Sequence, residues 1–355
     1  MSEAFLGTKL TMNLGPRSYE IILRRGALQN LYQFANLNRR VAVVTDNGVP
    51  PLYARQVADQ CREAAIITVP QGEASKSLKT LESVLQQMLD AGLGRGDLVI
   101  AVGGGVVGDL AGFAAAVYMR GIDFINCPTT TLSMIDSSIG GKTAVDLGDT
   151  KNVVGAFWQP RLVIVDADTL ATLPRRHFVN GLAEAVKAGL LADPELFGIF
   201  ENGDVDAEID AIIYRSLKFK KGIVEQDETE HGARRALNFG HTIGHALEKA
   251  SGYTLGHGAA VAVGMVYATK LAEQTGLCAG MSHRLSRCLE KYGLPVSPAY
   301  PWQTLVPLME LDKKNAGSRA VTMVLPLTWG QCQLVAFPPE ELLARLTEID
   351  REDKE

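Results

Sequence analysis

The segment that most constrains the fold is the apolar, glycine-rich stretch at residues 98–116, LVIAVGGGVVGDLAGFAAA. Its first five residues are continuously apolar, which is typical of a strand buried on both faces of a parallel sheet. The glycines then lead directly into a helical segment. A strand, a glycine-rich loop and a helix in direct succession predict an α/β fold.

Strand and helix patterns alternate through the first part of the chain. LTMNL and YEIIL flank Gly15 and Pro16 and predict a hairpin. Apolar runs predict four further strands at RRVAVVT, AIITV, INCP and LVIVD. Helical spacing is found at residues 50–63 and 78–89. This alternation predicts a mostly parallel, doubly wound, Rossmann-like sheet.

After about residue 175 helical patterns dominate. They cover residues 179–201, 207–224, 238–251, 257–275 and 280–292, and a strand pair near 320–336 precedes a last helix that opens at Pro338 and Pro339. The sequence therefore predicts an α/β domain at 1–175 and a mainly α-helical domain at 176–355. We expect the active site in the cleft between them, a preferred place for ligands.

Charge and composition exclude several classes of function. The net charge of −5 argues against a nucleic-acid binder or a protein of anionic membranes, but a small basic pocket for an anionic substrate remains possible. No apolar run is long enough to span a membrane, and the first residues do not resemble a signal peptide. Five cysteines without a CxxC pair predict a reducing, cytoplasmic location.

Two segments have the composition of anion-binding loops. Gly103, Gly105 and Gly108 satisfy G-x-G-x-x-G between a strand and a helix, which indicates a dinucleotide site. A tight turn without a ligand is the alternative, and the motif lies outside the first strand–helix unit. The second segment runs from CPTTT at 127–131 to DSSIGGKT at 136–143, which lacks the glycine spacing of a phosphate-binding P-loop.

Possible metal ligands occur in the second half. His241 and His245 are four residues apart and share a helix face, His257 begins another helix, and Glu184 is a carboxylate in an apolar helix. A glutamate with two histidines fits a catalytic zinc site, but spacing alone does not decide which two. Cys278, His283 and Cys288 match no common zinc pattern and are more typical of an ordinary helix.

Several cations occur near these motifs, and in an acidic protein most of them are expected on the surface. They are Arg120, Lys187, Lys220, Arg234, Lys313 and Lys314. Lys187 differs because it follows Glu184 by three residues on the same face of an apolar helix, so both side chains are expected to point into the cleft.

Taken together, these motifs resemble the 3-dehydroquinate synthase family over nearly the whole chain. The matching segments are GEASKS, GGGVVGDLAGFAAAVYMRG, PTTTLSMIDSSIGGKTAVD, KNVVGAFWQP, LPRRHFVNGLAEAVKAGL, LNFGHTIGHA, GHGAAVAVGM and DKKN. The resemblance implies a catalytic NAD that is not consumed, one zinc or cobalt ion and a homodimer. It also implies conversion of 3-deoxy-D-arabino-heptulosonate 7-phosphate to 3-dehydroquinate and phosphate.

The resemblance assigns roles to individual residues. The metal ligands would be Glu184, His241 and His257. His245 would instead take part in proton transfer near the substrate phosphate, and Arg120 would reach that phosphate across the dimer interface. The implied NAD contacts are Asp46, Gln71, Gly72, Glu73, Ala74, Ser75, Lys76, Gly104, Gly105, Val106, Val107, Gly108, Asp109, Thr129, Thr130, Lys142, Lys151, Thr169, Leu170, Ala171 and Thr172. The implied substrate contacts are Asp136, Lys142, Asn152, Lys187, Lys220, Arg234, Asn238, His245, Lys313 and Lys314.

The implied chemistry is transient oxidation at C5, β-elimination of phosphate, reduction, ring opening and an intramolecular aldol addition. Lys142, Asn152, Lys187 and Arg120 would bind the phosphate and take part in catalysis, while Lys220 and Arg234 would bind the carboxylate. Three alternatives stay open: a sister cyclase acting on sedoheptulose 7-phosphate or glucose 6-phosphate, a metal-dependent alcohol or glycerol dehydrogenase, and a non-enzymatic NAD-binding regulator. The sister substrates lack a carboxylate, and the dehydrogenases lack the IDSSIGGKT segment.

Overall fold

The computed structural model describes residues 7–148, 150–310 and 320–352, which form two compact units. The first unit extends to Phe178 and includes Ala207–Thr229, and the second comprises Val179–Asp206 and the chain from Glu230 onwards. The predicted fold class, a mostly parallel α/β part followed by a mainly helical part, is confirmed. Among the described residues, none of the helices combines the length and apolar character needed to cross a bilayer.

Strands occur in both units, most of them in the first. In chain order they are β1 (Thr8–Met12), β2 (Tyr19–Leu23), β3 (Arg40–Asp46), β4 (Glu63–Val69), β5 (Leu98–Gly103), β6 (Asp123–Pro128), β7 (Lys142–Leu147), β8 (Thr150–Phe157), β9 (Leu162–Val165), β10 (Val321–Thr328) and β11 (Gln331–Phe337). Within the described residues, one seven-stranded sheet has the order β1-β2-β9-β6-β5-β3-β4. The β1–β2 pair is the predicted antiparallel hairpin, and the other neighbours in this sheet pair in parallel.

Helices cover both faces of this sheet and make up most of the second unit. In chain order they are α1 (Pro51–Ala58), α2 (Leu78–Asp90), α3 (Gly105–Val117), α4 (Arg175–Ala192), α5 (Pro194–Asn202), α6 (Ile209–Gln226), α7 (His241–Ala250), α8 (His257–Gln274), α9 (Met281–Lys291), α10 (Trp302–Glu310) and α11 (Pro339–Glu352). α2 begins where the side chain of Ser77 accepts the backbone N–H of Thr80.

Alternating residues of the central strands divide the first unit's core into two layers. Val99 and Ala101 of β5 pack with Val84 of α2 and Leu110 of α3. Leu98 and Ile100 of β5 lie in the other cluster, which includes residues of α1. Because both faces of β5 are covered, all six of its residues are buried, which accounts for the continuous apolar run.

The second unit is built around α8. Residues 260–269 of this helix are all buried, so it is apolar on every side rather than amphipathic. Helices α7, α9 and α11 and strand β10 pack against it. The late strand pair is confirmed as the antiparallel hairpin β10–β11.

Some predicted boundaries are wrong. The helix predicted over 179–201 is divided at Asp193, whose side chain accepts the backbone N–H of Leu196 as the cap of α5, with Pro194 in its first turn. The helix predicted over 50–63 ends at Ala58, because β4 begins at Glu63. The sequence analysis missed the hairpin β7–β8, whose β8 strand has only exposed and half-buried residues.

Candidate functional site

Three side chains from three helices converge in the second unit. Glu184 lies in α4, His241 is the first residue of α7 and His257 is the first residue of α8. Their ligand atoms all lie within 4.8 Å of one another, and Glu184 Oε1 is 3.4 Å from Nε2 of each histidine. Both carboxylate oxygens of Glu184 are buried, and their described neighbours are the cation of Lys187 and the two histidine rings. The three residues therefore fit a divalent cation, with the N₂O donor set of a catalytic zinc site.

Glycines allow α7 and α8 to approach closely enough for this convergence. A Cβ atom on Gly264 would lie 1.9 Å from the carbonyl oxygen of Gly240, and one on Gly244 would lie 3.2 Å from the backbone nitrogen of Val261. Gly240 also has a φ of 80°, which side chains disfavour. The close packing brings the rings of His241 and His257 to a centroid distance of 5.3 Å.

Charged neighbours shift the pKa values of Glu184 and His257 in opposite directions. Burial opposes charge on His257, but hydrogen bonds and charges from Glu184 and Glu248 raise its pKa to about 10. Burial would raise the pKa of Glu184, yet the positive charges of Lys187 and His257 keep it below its ordinary value. Lys187 forms an ion pair with Glu184 Oε2 and donates a hydrogen bond to the carbonyl oxygen of Leu237 at 2.8 Å.

The positions of the histidines indicate which two of them lie with Glu184, a question that sequence spacing left open. His245 lies one turn after His241, and their ring centroids are 5.5 Å apart. Within the described part of the chain, the three-residue donor group contains His257 rather than His245. The same search finds no donor group at Cys278, His283 and Cys288. Burial raises the pKa of the Cys278 thiol to about 11 and that of Cys288 to about 12, so both thiols stay protonated at neutral pH.

A second polar group precedes α7. Arg234 and Asn238 lie in the 3-10 turn Ala233–Asn238, and only 1% of the Arg234 surface is exposed. Asn238 Nδ2 donates a hydrogen bond to Glu230 Oε1 at 2.9 Å. Glu230 has a φ of 65°, an unusual value for a glutamate.

The implied NAD-binding segments of the first unit lie at one edge of its sheet. Each begins at or just after the carboxyl end of a parallel strand: Asp46 ends β3, residues 71–76 follow β4, residues 104–109 follow β5, residues 129–130 follow β6, and residues 169–172 follow β9. Strand order reverses between β3 and β5, so this edge contains the topological switch point at which open α/β sheets bind ligands.

Neighbouring side chains pack closely against the glycine-rich loop at the start of α3. A Cβ atom on Gly104 would lie 3.1 Å from Thr130 Cγ2, and one on Gly105 would lie 3.0 Å from Ser137 Oγ. Gly104 is the N-cap residue of α3 and has no side chain, so no capping side chain occupies the first N–H groups of this helix. Such a helix start is suited to a pyrophosphate.

A buried ammonium group connects three of the implied NAD and substrate segments. Lys76, which is 4% exposed, donates to Asp109 Oδ2 at 2.7 Å and to Asn152 Oδ1. Burial disfavours its charge, but Asp109 and Glu73 raise the pKa of Lys76 above its ordinary value. Lys151 Nζ lies 3.8 Å from Glu73 Oε1. Ion pairs and a hydrogen bond thus join the turn at 73–76, the first turns of α3 and the start of β8.

Asp46 has a structural function in addition to its implied NAD contact. Its Oδ1 accepts the backbone N–H groups of Gly48 and Val49 and closes the turn after β3. On the last implied NAD segment, the hydroxyls of Thr172 and Tyr53 are 3.0 Å apart.

Lys220 and Asp136, both implied substrate contacts, are direct neighbours. Lys220 Nζ donates to the carbonyl oxygen of Asp136 at 2.8 Å and lies 3.0 Å from its Oδ1. Lys220 comes from α6, which packs on the π-helical turn Ser133–Ser137. Lys142 is exposed at the start of β7.

Arg120 lies in an unusual turn after α3. Met119 and Arg120 have φ values of 51° and 69°, and a Cβ atom on Gly121 would lie 2.5 Å from the indole of Trp158. The turn is therefore held against Trp158 while Arg120 remains exposed. The other two cations singled out by the sequence, Lys313 and Lys314, lie outside the described residues.

Sequence reasoning missed two carboxylates beside the predicted residues. Glu230 contacts Asn238, and Glu248 Oε2 lies 3.2 Å from His257 Nδ1. Glu248 follows His241 by seven residues and lies on the same face of a helix. This spacing is the sequence pattern that could have placed Glu248 near the metal site. No local signal predicts the contact of Glu230.

Two family profiles match the chain in succession. The profile described as 3-dehydroquinate synthase N-terminal matches residues 66–180. The profile described as 3-dehydroquinate synthase C-terminal matches residues 181–315. A 3-dehydroquinate synthase of Pelobacter propionicus is 42% identical over 349 residues, which cover 94% of this chain and 97% of that protein.

Solved structures with the same architecture carry both kinds of ligand. A 2-deoxy-scyllo-inosose synthase complexed with carbaglucose-6-phosphate, NAD⁺ and Co²⁺ has a TM-score of 0.86 and 26% identity, with 96% of this chain and 99% of that chain covered. A 2-epi-5-epi-valiolone synthase from Streptomyces hygroscopicus with NAD⁺ and Zn²⁺ has a TM-score of 0.85 and 29% identity, with 94% and 97% covered.

Proposed function

The chain belongs to the 3-dehydroquinate synthase family, and we propose that it converts 3-deoxy-D-arabino-heptulosonate 7-phosphate to 3-dehydroquinate and phosphate. The observation that carries the proposal is the convergence of Glu184, His241 and His257 in a chain that both family profiles match. The reaction releases phosphate without net oxidation of the sugar acid, so one NAD serves many turnovers.

The cofactors are NAD and one divalent metal ion, zinc or cobalt. When bound, the ion polarises a substrate hydroxyl, and NAD removes and later returns a hydride at the same carbon. We assign the ion to Glu184, His241 and His257. We assign NAD to the loops that follow β3, β4, β5, β6 and β9, together with Lys142 and Lys151.

Opposite ends of the substrate carry different anions, and we assign separate cations to each. Arg234, Lys220 and Asn238 bind the carboxylate, because a planar guanidinium can pair with it through two hydrogen bonds. Lys142, Asn152, Lys187 and Arg120 bind the phosphate. The burial of Arg234 and Lys187 supports these roles, because a cation attracts an anion more strongly where water is largely excluded. Asp136 is the remaining substrate contact that we assign among the described residues. Lys313 and Lys314 are assigned to the substrate by resemblance alone.

His245 is assigned to proton transfer. Its ring lies beside His241 and outside the metal-ligand group, which supports a role next to a substrate held at the metal ion. Removal of the proton at C6 while C5 is a ketone allows phosphate to leave by β-elimination, and the phosphate oxygens are suited to accept that proton. His245 then exchanges a proton with the phosphate.

We also propose a homodimer in a reducing, cytoplasmic compartment. Val117 and Met119, apolar side chains next to Arg120, are 42% and 38% exposed, which supports a partner surface at this turn. All five cysteines are free, which supports the reducing compartment. For the domains, we propose that residues 1–175 bind NAD and that residues 176–355 bind the metal ion and much of the substrate.

A sister cyclase is the alternative, because structures of that kind share the fold. Purified protein with Co²⁺ and a catalytic amount of NAD should release phosphate from 3-deoxy-D-arabino-heptulosonate 7-phosphate, and not from sedoheptulose 7-phosphate or glucose 6-phosphate. Absorbance at 340 nm should show no accumulating NADH. The proposal would be contradicted if phosphate were released only from sedoheptulose 7-phosphate or glucose 6-phosphate. It would also be contradicted if one NADH accumulated for each substrate molecule consumed.

A further inference from the structure

Both histidines of the proposed metal site are fixed through Nδ1. His257 Nδ1 lies 3.2 Å from Glu248 Oε2, and His241 Nδ1 lies 3.1 Å from the carbonyl oxygen of Phe239. A carbonyl oxygen and an ionised carboxylate only accept hydrogen bonds, so when Nε2 binds a divalent ion the proton of each neutral ring is on Nδ1. The lone pair is then on Nε2, the atom that faces Glu184 Oε1 at 3.4 Å in both cases.

The position of Glu248 is fixed independently of this contact. Only 6% of the residue is exposed. Its backbone carbonyl oxygen accepts hydrogen bonds from Tyr253 N and from Ser251 Oγ, both at 2.8 Å, at the end of α7. The carboxylate therefore projects from an anchored backbone toward the first residue of α8, and it has no part in the chemistry assigned above.

We propose that Glu248 is a positioning residue, whose carboxylate accepts the Nδ1–H of His257 and so directs Nε2 to the divalent ion. This inference rests on the proposed metal site. A carboxylate behind a ligating histidine fixes the ring and its tautomer and increases its electron donation to the ion. The Nδ1 of His257 faces a side-chain carboxylate, whereas the Nδ1 of His241 faces the backbone carbonyl oxygen of Phe239.

Metal affinity is the direct test. The dissociation constant for Co²⁺ alone and for Zn²⁺ alone is measured by competition with a chelator in the full chain, first for the natural protein. Glu248→Ala should weaken affinity by about 10–100-fold. Glu248→Gln keeps an acceptor oxygen without the charge and should retain affinity between that of Glu248→Ala and that of the natural protein.

Glu273→Gln is the matched control. Glu273 also lies in the second unit, where it accepts the backbone N–H groups of Met281 and Ser282 at the start of α9. It is sixteen residues beyond His257 in α8, about 24 Å along the helix. This variant should lower the Tm of the metal-free chain and leave metal affinity unchanged. An equal loss of affinity in Glu273→Gln and Glu248→Ala, or Glu248→Ala affinity within about twofold of the natural protein, would overturn the inference.

A spectroscopic measurement does not depend on the folding of any variant. With the six histidines labelled with ¹⁵N in the zinc-loaded natural protein, long-range ¹H–¹⁵N spectra report the protonated nitrogen of each ring. His257 should carry its proton on Nδ1, and an Nε2-protonated His257 would overturn the inference. If the natural protein binds neither ion, the proposed metal site fails; if it binds them and the variants bind equally well, only the role of Glu248 fails.

Discussion

Asn180 accepts the backbone N–H of Ala259 through Oδ1 at 3.0 Å and thereby caps the first turn of α8 from α4. The residue that would normally supply a cap, Gly256, has no side chain to do so. Asn180 is one turn before Glu184, and Ala259 is two residues after His257. One hydrogen bond therefore fixes the helix that carries Glu184 relative to the helix that carries His257.

Replacing Asn180 tests this relationship. Asn180→Ala should destabilise the protein by about 0.5–2 kcal/mol, the usual cost of losing a helix cap, because the Ala259 N–H loses its acceptor. Metal affinity should also fall, since the first turn of α8 carries a ligand. Urea denaturation and chelator competition measure the two effects. Asn180→Asp, which retains an acceptor oxygen, serves as the conservative control, and unchanged stability in Asn180→Ala would contradict the capping role.

Removal of the metal ion should stop turnover and leave the protein folded. The second unit has a large apolar core around α8, so the ion is not its main source of stability. At a free metal concentration of 100 Kd, the ion adds about 2.7 kcal/mol, which corresponds to about 5–10 °C in Tm. Calorimetry with and without chelator measures the change in Tm, and circular dichroism measures the secondary structure. A magnesium–chelator complex serves as the control. Loss of secondary structure on chelation would contradict it.

Much of the fold could be predicted because its signals are local. The continuous apolar run of β5 and the glycines before α3 are adjacent in sequence, and the Asp193–Pro194 break was also readable, although the predicted helix ran through it. The hairpin β7–β8 was missed for a physical reason. Val153 and Phe157 of β8 are exposed, so burial imposes no apolar pattern on that strand.

The candidate site was only partly predictable from residue patterns. The i, i+4 spacing of His241 and His245 suggested a pair, but His257 joins His241 because α7 and α8 pack through glycines. Such packing is tertiary and leaves no periodic signal. Resemblance to a family implied the same three residues that the folded chain brings together, whereas the contacts of Asn180 and Glu248 became visible only with the hydrogen bonds of the folded chain.

A methyl group at the crossing of α7 and α8 should disturb both stability and metal binding. In Gly264→Ala the new Cβ would lie 1.9 Å from the carbonyl oxygen of Gly240, so the helices must separate, at a cost of about 1–3 kcal/mol. Gly198→Ala is the matched control, because a Cβ there meets nothing within 4 Å and the change should stabilise α5 by about 0.5–1 kcal/mol. Chemical denaturation measures the free energy of unfolding of both variants. A loss in Gly264→Ala beside a gain in Gly198→Ala indicates that the helices separate, and an unchanged value in Gly264→Ala would contradict it.

Asp123 should make stability depend on acid pH. Burial raises its pKa, but hydrogen bonds from Arg161 and Arg39 outweigh this and hold the pKa below the ordinary 3.8. The folded state therefore binds fewer protons, so the stabilisation is full above pH 3.8 and is lost as the pH falls through the folded-state pKa. Asp123→Asn should cost up to about 1 kcal/mol at pH 7 for these partly exposed pairs. The free energies of unfolding of the two proteins, measured by denaturation at several pH values, should converge at low pH. A difference in unfolding free energy that is the same at every pH would contradict the role assigned to Asp123.

Arg234 should decide recognition of the substrate carboxylate. Arg234→Ala removes a buried guanidinium and should cost about 2–4 kcal/mol, expressed chiefly as a higher KM. Arg234→Lys should recover only part of this, because an ammonium cannot pair with both carboxylate oxygens in a planar fork. Arg235→Ala, the neighbouring cation, is the matched control and should leave KM unchanged. Inhibition by inorganic phosphate, which reports the other end of the substrate, should be equal in all four proteins. An unchanged KM in Arg234→Ala would remove the feature that separates a carboxylate-binding cyclase from its sister enzymes.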